Sequence, residues 1–156
     1  MKITIAQRQV SDNLAANLAR MLTVLDVAQP LEWVVFPEGM LSGYAPEQAD
    51  FTRRLDAATI ESGIQEIQAK VTRQQCSCIF GSVTFAAGHW HNSVLLLSPD
   101  GTLHTHHKIE LSALDQKHFT PGTRVTTYEV GGVRLGIQAC RELLFPQTWG
   151  ALKSAG

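Results

Sequence analysis

Residues 31–36, Leu31-Glu32-Trp33-Val34-Val35-Phe36, are apolar except for Glu32 and stop at Pro37-Glu38-Gly39. A strand wetted on one face alternates apolar with polar side chains, so a run this uniform reads as a strand covered on both faces. A sheet sandwiched between other layers supplies that cover, which places the chain among α/β folds. Length permits it: 156 residues suffice for one domain that buries about two-thirds of the surface its unfolded chain exposes. The balance of 13 Lys+Arg against 14 Asp+Glu leaves a net charge of -1. Such a chain has no field to hold a phosphate backbone or an anionic lipid surface, so neither nucleic acid nor membrane is an expected partner. Three cysteines, two of them alternating at Cys76 and Cys78 in an apolar run, make no disulfide framework and point to a reducing, cytoplasmic location. No segment has the length of a membrane span, and Met1-Lys2-Ile3-Thr4-Ile5-Ala6 lacks the apolar core of a signal peptide.

The period of the apolar residues divides the chain. Residues 2–7 read as a strand, and Ser11-Asp12 offers an N-cap for a helix carrying Leu14, Leu18, Met21, Leu22 and Leu25 that Pro30 closes. A second helix starts near Asp56, with Ile60, Ile64, Ile67 and Val71 on one stripe. Strands follow at 76–85, 92–97 and 102–107, the last two joined by Ser98-Pro99-Asp100-Gly101, and at 125–130 and 133–139 around Gly131-Gly132. Pro146 suits the first turn of a helix over 147–154. No repeat or linker interrupts residues 1–156, which read as one domain.

Three residues stand at strand ends, where open α/β sheets place their ligands. Glu38 follows the buried strand and is placed to act as a general base, or else is an ordinary solvated loop acid. Lys108 follows the strand over 102–107; by itself it reads as an exposed, snorkelling charge. Cys140 ends the strand over 133–139. A free cysteine is commonly a small buried hydrophobe, but a strand-to-helix junction is where α/β hydrolases expose a nucleophile.

At these three places together the sequence resembles the nitrilase, or carbon–nitrogen hydrolase, superfamily. The resemblance rests on Phe36-Pro37-Glu38, His107-Lys108-Ile109 and Cys140 followed by Phe145-Pro146. Gly81-Ser82-Val83, Asn92-Ser93, Pro99-Asp100-Gly101 and Phe119-Thr120-Pro121-Gly122 fall between them in the family's order. It implies an αββα sandwich, a Glu38-Lys108-Cys140 triad, a thioester intermediate, and a small amide or ω-amide as substrate. It implies no metal or organic cofactor, and a homo-oligomer built through helices beside the site. The loops over 40–51 and 109–120 are expected to line the pocket.

Departures from the family pattern carry expectations of their own. Asp115 stands where relatives have a second glutamate that supports the lysine. It is one methylene shorter, and a shortfall of about an ångström would cost on the order of a hundredfold in rate. Arg141 replaces an aromatic residue and serves either to bind a substrate carboxylate or as a surface residue; Glu142 keeps the family's acid. The family's later strands and helices have no counterpart after residue 156, so the sandwich is expected to be incomplete. The competing reading is a catalytically silent fragment or interaction module of that fold. A third reading is a metal site at His104, His106 and His107 with His89, His91, Cys76 and Cys78 nearby, since His104 and His106 would share one strand face.

Overall fold

A computed structural model describes residues 2–156; Met1, the first residue of the opening segment, lies outside them. Three parallel strands, β1 (Lys2–Ile5), β2 (Glu32–Val35) and β3 (Ser77–Ala86), continue into antiparallel β4 (His89–Leu97) and β5 (Leu103–His107). Helices α1 (Leu14–Leu25) and α2 (Ala57–Gln74) make the crossovers. A separate hairpin, β6 (Thr127–Val130) and β7 (Val133–Gly136), is followed by helix α3 (Pro146–Ser154).

The sheet is covered on both faces, as the uniform run at 31–36 requires. On one face Val34, Cys78, Phe80, Leu95 and Leu97 pack with Met21 and Leu25 of α1 and Ile60, Ile64, Ile67 and Val71 of α2. Burial pushes the Cys76 and Cys78 thiols up, which keeps both protonated in that core. On the other face Trp33, Ile79, Val94 and Leu96 meet Val130, Val133, Leu135 and Ile137 of the hairpin. Helix α3 covers the hairpin's outer side, with Leu152 against Gly136 and the Thr127 hydroxyl donating to the Ala155 carbonyl. The layers therefore run helix, sheet, sheet, helix. At the β1 edge the inner face stays open: Ile3 and Ile5, in register with Trp33 and Val35, are 52% and 75% exposed.

Local chemistry moves several element ends. Asn13, not Ser11 or Asp12, caps α1, its Oδ1 accepting from Ala16 N at 3.0 Å, while Ser11 N donates to Asn17. That helix ends at Leu25, where Asp26 N–H closes on Leu22, so Pro30 lies beyond its end. Helix α2 begins next to Asp56 as expected, and Asp56 caps it. β4 begins at His89, before Asn92, because Ala87 and Gly88 form a two-residue turn with φ of 49° and 83°. An alanine at a positive-φ turn position carries no sequence signal. Gly131-Gly132 turns the other hairpin, with φ of 58° and 75°.

Gly81 sits on β3 beneath the loop that leaves β2. Its N–H donates to Pro37 O at 3.0 Å and its carbonyl accepts from Leu41 N at 3.1 Å. A Cβ there would stand 2.5 Å from Glu38 Cα and overlap Gly39 as well. Gly81→Ala is therefore expected to destabilise the fold by about 1–3 kcal/mol through backbone displacement, read as a lower urea midpoint. An unchanged midpoint would show that the loop yields freely.

Candidate active site

The ends of β2, β5 and β7 converge at one margin of the sandwich. Glu38 leaves β2 in a loop clamped against Gly81. Lys108 leaves β5 with its N–H donating to Asn92 O at 2.8 Å and its carbonyl accepting from Gly122 N at 2.9 Å. Gly122 is small enough to let that loop cross His107. The Lys108 ammonium is 2% exposed and donates to Glu38 Oε1 at 2.9 Å and Asp115 Oδ2 at 3.0 Å. Burial alone would pull this amine down, but Glu38 and Asp115 more than offset it and hold Lys108 above its ordinary value.

Asp115 opens the short turn Asp115–Lys117 and is completely buried. Its Oδ2 also accepts from Ser112 N at 3.1 Å, and its Oδ1 accepts from the Tyr44 hydroxyl at 2.5 Å. Burial pushes this carboxyl up, yet Tyr44, Lys108 and Ser112 outweigh it, so Asp115 lies below the usual carboxylate range. The Tyr44 phenol is driven up by burial and by the carboxylate it serves. The shortfall expected of the shorter aspartate does not occur: the Lys108 ammonium donates to Asp115 Oδ2 at 3.0 Å.

Cys140 opens the turn Cys140–Leu144 at φ 48°, a left-handed conformation uncommon for a side chain that carries a Cβ. Its side chain is exposed. A cavity of about 280 Å³ is bounded by Cys140 and Glu38 together with Phe36, Ile79, Val94 and Leu135. The loops over 40–51 and 109–120 are not part of its wall. They stand behind Lys108 instead, where they supply Tyr44 and Asp115.

The remaining candidates separate. Arg141 is exposed, its guanidinium 5.3 Å from the centre of the Phe145 ring. Glu142 is 1% exposed and bonds to His106, Ile109 N and Ala139 N. The histidines go to different partners, which dismantles the metal reading: His104 lies against Tyr128, His106 meets Glu142, and His107 stacks on His91 at 4.1 Å. Among the described residues no three His, Cys, Asp or Glu side chains group as metal ligands, and no helix is long and apolar enough to cross a membrane. Two residues stood in the sequence without an assigned role, Tyr44 and Asn92; the Asn92 amide donates to Glu38 Oε1 at 2.8 Å.

The His91–His107 stack makes a pH prediction. His107, bonded to Ser93, which in turn bonds Thr84, is pushed down to about 4 by burial and by His91 and His106. Its unfolded-state value is near 6.5, so the unfolded chain takes up a proton before the folded one does. Stability is therefore expected to fall as pH drops from about 6.5 to 4. His107→Gln should flatten that slope in urea denaturation at stepped pH; an equally steep slope would assign it elsewhere.

The model of the family described as carbon-nitrogen hydrolase matches residues 2–156. The chain belongs to the carbon–nitrogen hydrolase family. It is 29% identical over 160 residues to an (R)-stereoselective amidase of Pseudomonas sp., a match that covers 100% of this chain and 57% of that protein. A variant of the Nesterenkonia sp. amidase, with the acetamide moiety of fluoroacetamide added covalently at its active-site cysteine, has a TM-score of 0.86. It is 16% identical and is matched over 100% of this chain and 62% of its own. A carbon–nitrogen hydrolase from Helicobacter pylori has a TM-score of 0.82 at 18% identity, over 99% of this chain and 56% of its own. These likenesses establish the nitrilase-type α/β fold. The chain spans less than two thirds of the length of these relatives.

Proposed function

We propose that this chain carries the catalytic centre of an amide hydrolase, with Cys140 as nucleophile, Glu38 as general base and acid, and Lys108 as oxyanion donor. The observation that carries the reading is the shared cavity: Glu38 and Cys140 both border it, and Glu38 is bonded to a buried Lys108 ammonium. Lys108 is thus held between the carboxylates of Glu38 and Asp115, with the Glu38 side chain 23% exposed.

In this reading Glu38 takes the thiol proton of Cys140, and the sulfur attacks the amide carbon. Negative charge moves to the carbonyl oxygen, where the Lys108 N–H and the backbone N–H of Arg141 receive it. Glu38 returns its proton to the departing nitrogen, the C–N bond breaks, and a thioester remains. Water then gives a proton to Glu38 and attacks the acyl carbon. The C–S bond breaks, the carboxylic acid leaves, and Cys140 recovers its proton. Asp115, held by Tyr44 and Ser112, keeps Lys108 charged and aimed.

Small aliphatic amides and ω-amides suit a cavity of about 280 Å³. The amidase activity of the Pseudomonas relative supports an amide over a nitrile. Exposed Leu143, Leu144 and Trp149, just after Cys140 in the chain, support self-association on that side. The test is ammonia release from a panel of such amides, with acid quench and mass spectrometry to locate an acyl adduct. Ammonia together with an adduct on Cys140 is the expected result. Neither product at high protein concentration would favour the silent module and overturn the reading.

A further inference from the structure

The centre described above leaves one buried ionisable pair unused. Glu142 and His106 are 1% and 3% exposed. The Glu142 carboxylate is fully engaged: Oε1 accepts from Ile109 N at 2.8 Å, and Oε2 accepts from Ala139 N at 2.6 Å. His106 Nε2 lies 3.2 and 3.0 Å from the two oxygens and donates into the fork between them. Ile109 is the residue after Lys108, and Ala139 is the residue before Cys140. One carboxylate thus ties together the backbones that carry the lysine and the cysteine, 33 positions apart in the case of Ile109 and Glu142.

Stability alone does not call for this arrangement. A buried charge is costly to desolvate, and an apolar side chain of similar size commonly serves a core as well or better. Burial raises the Glu142 carboxyl, but His106 and the two backbone donors outweigh it and leave Glu142 below its ordinary value, so Glu142 is a carboxylate at neutral pH. Its position coincides with strain. Ala139 is extended at φ -111°, and the next residue, Cys140, reverses to φ 48°. A non-glycine residue holds such a conformation only where its surroundings over-determine it.

We infer that Glu142 and His106 are positioning residues that lock the left-handed Cys140 turn to the end of the Lys108 strand and so set the thiol against the ammonium. This rests on the proposed roles of Cys140 and Lys108. His106 supplies the N–H that orients the carboxylate, and Glu142 passes that orientation to both backbones.

Three variants separate positioning from simple support. His106→Leu removes the donor, and His106→Gln returns an N–H close to the position of Nε2. Glu142→Gln places an amide N–H2 against one of the backbone donors. Amide hydrogen exchange at Ala139 and Ile109, measured by NMR below each variant's unfolding range, reads the tie directly. Iodoacetamide alkylation of Cys140 reads its consequence, since Cys76 and Cys78 are buried. Protection at both amides is expected to fall together in His106→Leu and Glu142→Gln. Alkylation should slow between about tenfold and a hundredfold, and His106→Gln should restore both. Folded variants that keep wild-type protection at either amide, or alkylate at the wild-type rate, would overturn the inference even if their midpoints drop. Absence of ammonia release by the unmodified protein would instead count against the proposed function and leave the exchange result standing.

Discussion

Lys108→Met is expected to lose both stability and activity. The methionine keeps most of the stem's volume but removes an ammonium that meets two carboxylates, one of them the fully buried Asp115. Breaking a buried pair from one side costs about 3–5 kcal/mol, because the remaining charge has neither water nor partner. Tyr44 and Ser112 still bond Asp115 and keep the loss toward the lower end. In the proposed mechanism the oxyanion loses its cationic donor at the same time, worth on the order of a hundredfold to a thousandfold in turnover.

The pH dependence of that loss has a definite sign. Lys108 lies above its ordinary value, so its contribution is complete at neutral pH and is lost only as pH rises through the folded-state value. Asp115 lies below its ordinary value, so its contribution is complete above the usual carboxylate range and is lost as pH falls through the folded-state value. The gap between wild type and Lys108→Met should therefore be full at pH 7 and narrow in acid. Urea midpoints at neutral and acid pH, alongside ammonia release, check both parts. Equal midpoints at pH 7 would mean that Asp115 is neutral in the folded protein.

Glu38→Gln separates chemistry from structure. Glu38 Oε1 accepts from both Asn92 and Lys108, and a glutamine carbonyl oxygen can accept the same two bonds. Its side chain is 23% exposed, so the change leaves no deeply buried group orphaned. Asp115 still pairs with Lys108, so the loss of one charge against that ammonium should lower stability by about 1–2 kcal/mol, less than Lys108→Met. The amide cannot take the Cys140 proton or deliver one to the leaving nitrogen, and turnover is expected to fall by roughly a hundredfold to ten-thousandfold. Turnover near that of the wild type would assign the proton transfers to another group.

Much of the outline was legible because it follows from periodicity. The run at 31–36 announced a strand covered on both faces, and it lies between the α1–α2 layer and the β6–β7 hairpin. The stripe Ile60, Ile64, Ile67 and Val71 announced a helix and is buried. Turns were legible where glycine marks them, as at Gly131-Gly132, and hidden where Ala87 takes a positive φ. Glu38, Lys108 and Cys140 are legible as strand-end residues in the family's order; Glu38 bonds to Lys108 and borders the same cavity as Cys140.

Contacts across the chain were another matter. Asp115 looked one methylene too short, but its reach depends on where the turn at 115–117 places its backbone, which no residue type encodes. Tyr44 lies 71 positions from the carboxylate it bonds, and Asn92 lies 54 from Glu38. His104, His106 and His107 looked like one cluster because they are adjacent in sequence. The alternation of a strand and the two layers packed on it send them to Tyr128, to Glu142 and to His91.

By itself, then, the sequence determined the layered α/β class and the family, and marked the candidate residues for the proposed chemistry, because apolar spacing and motif order are local properties of a chain. Only the tertiary structure decided which of those residues meet, because hydrogen bonds act over about 3 Å and depend on how distant backbones are brought together. Glu32 illustrates the division within residues 31–36. It is the one acid in an otherwise apolar strand, yet it is 4% exposed. Lys2, Thr4 and Gln29 N, brought to it by the parallel pairing of β1 and β2 and by the turn before β2, keep it charged in the sheet.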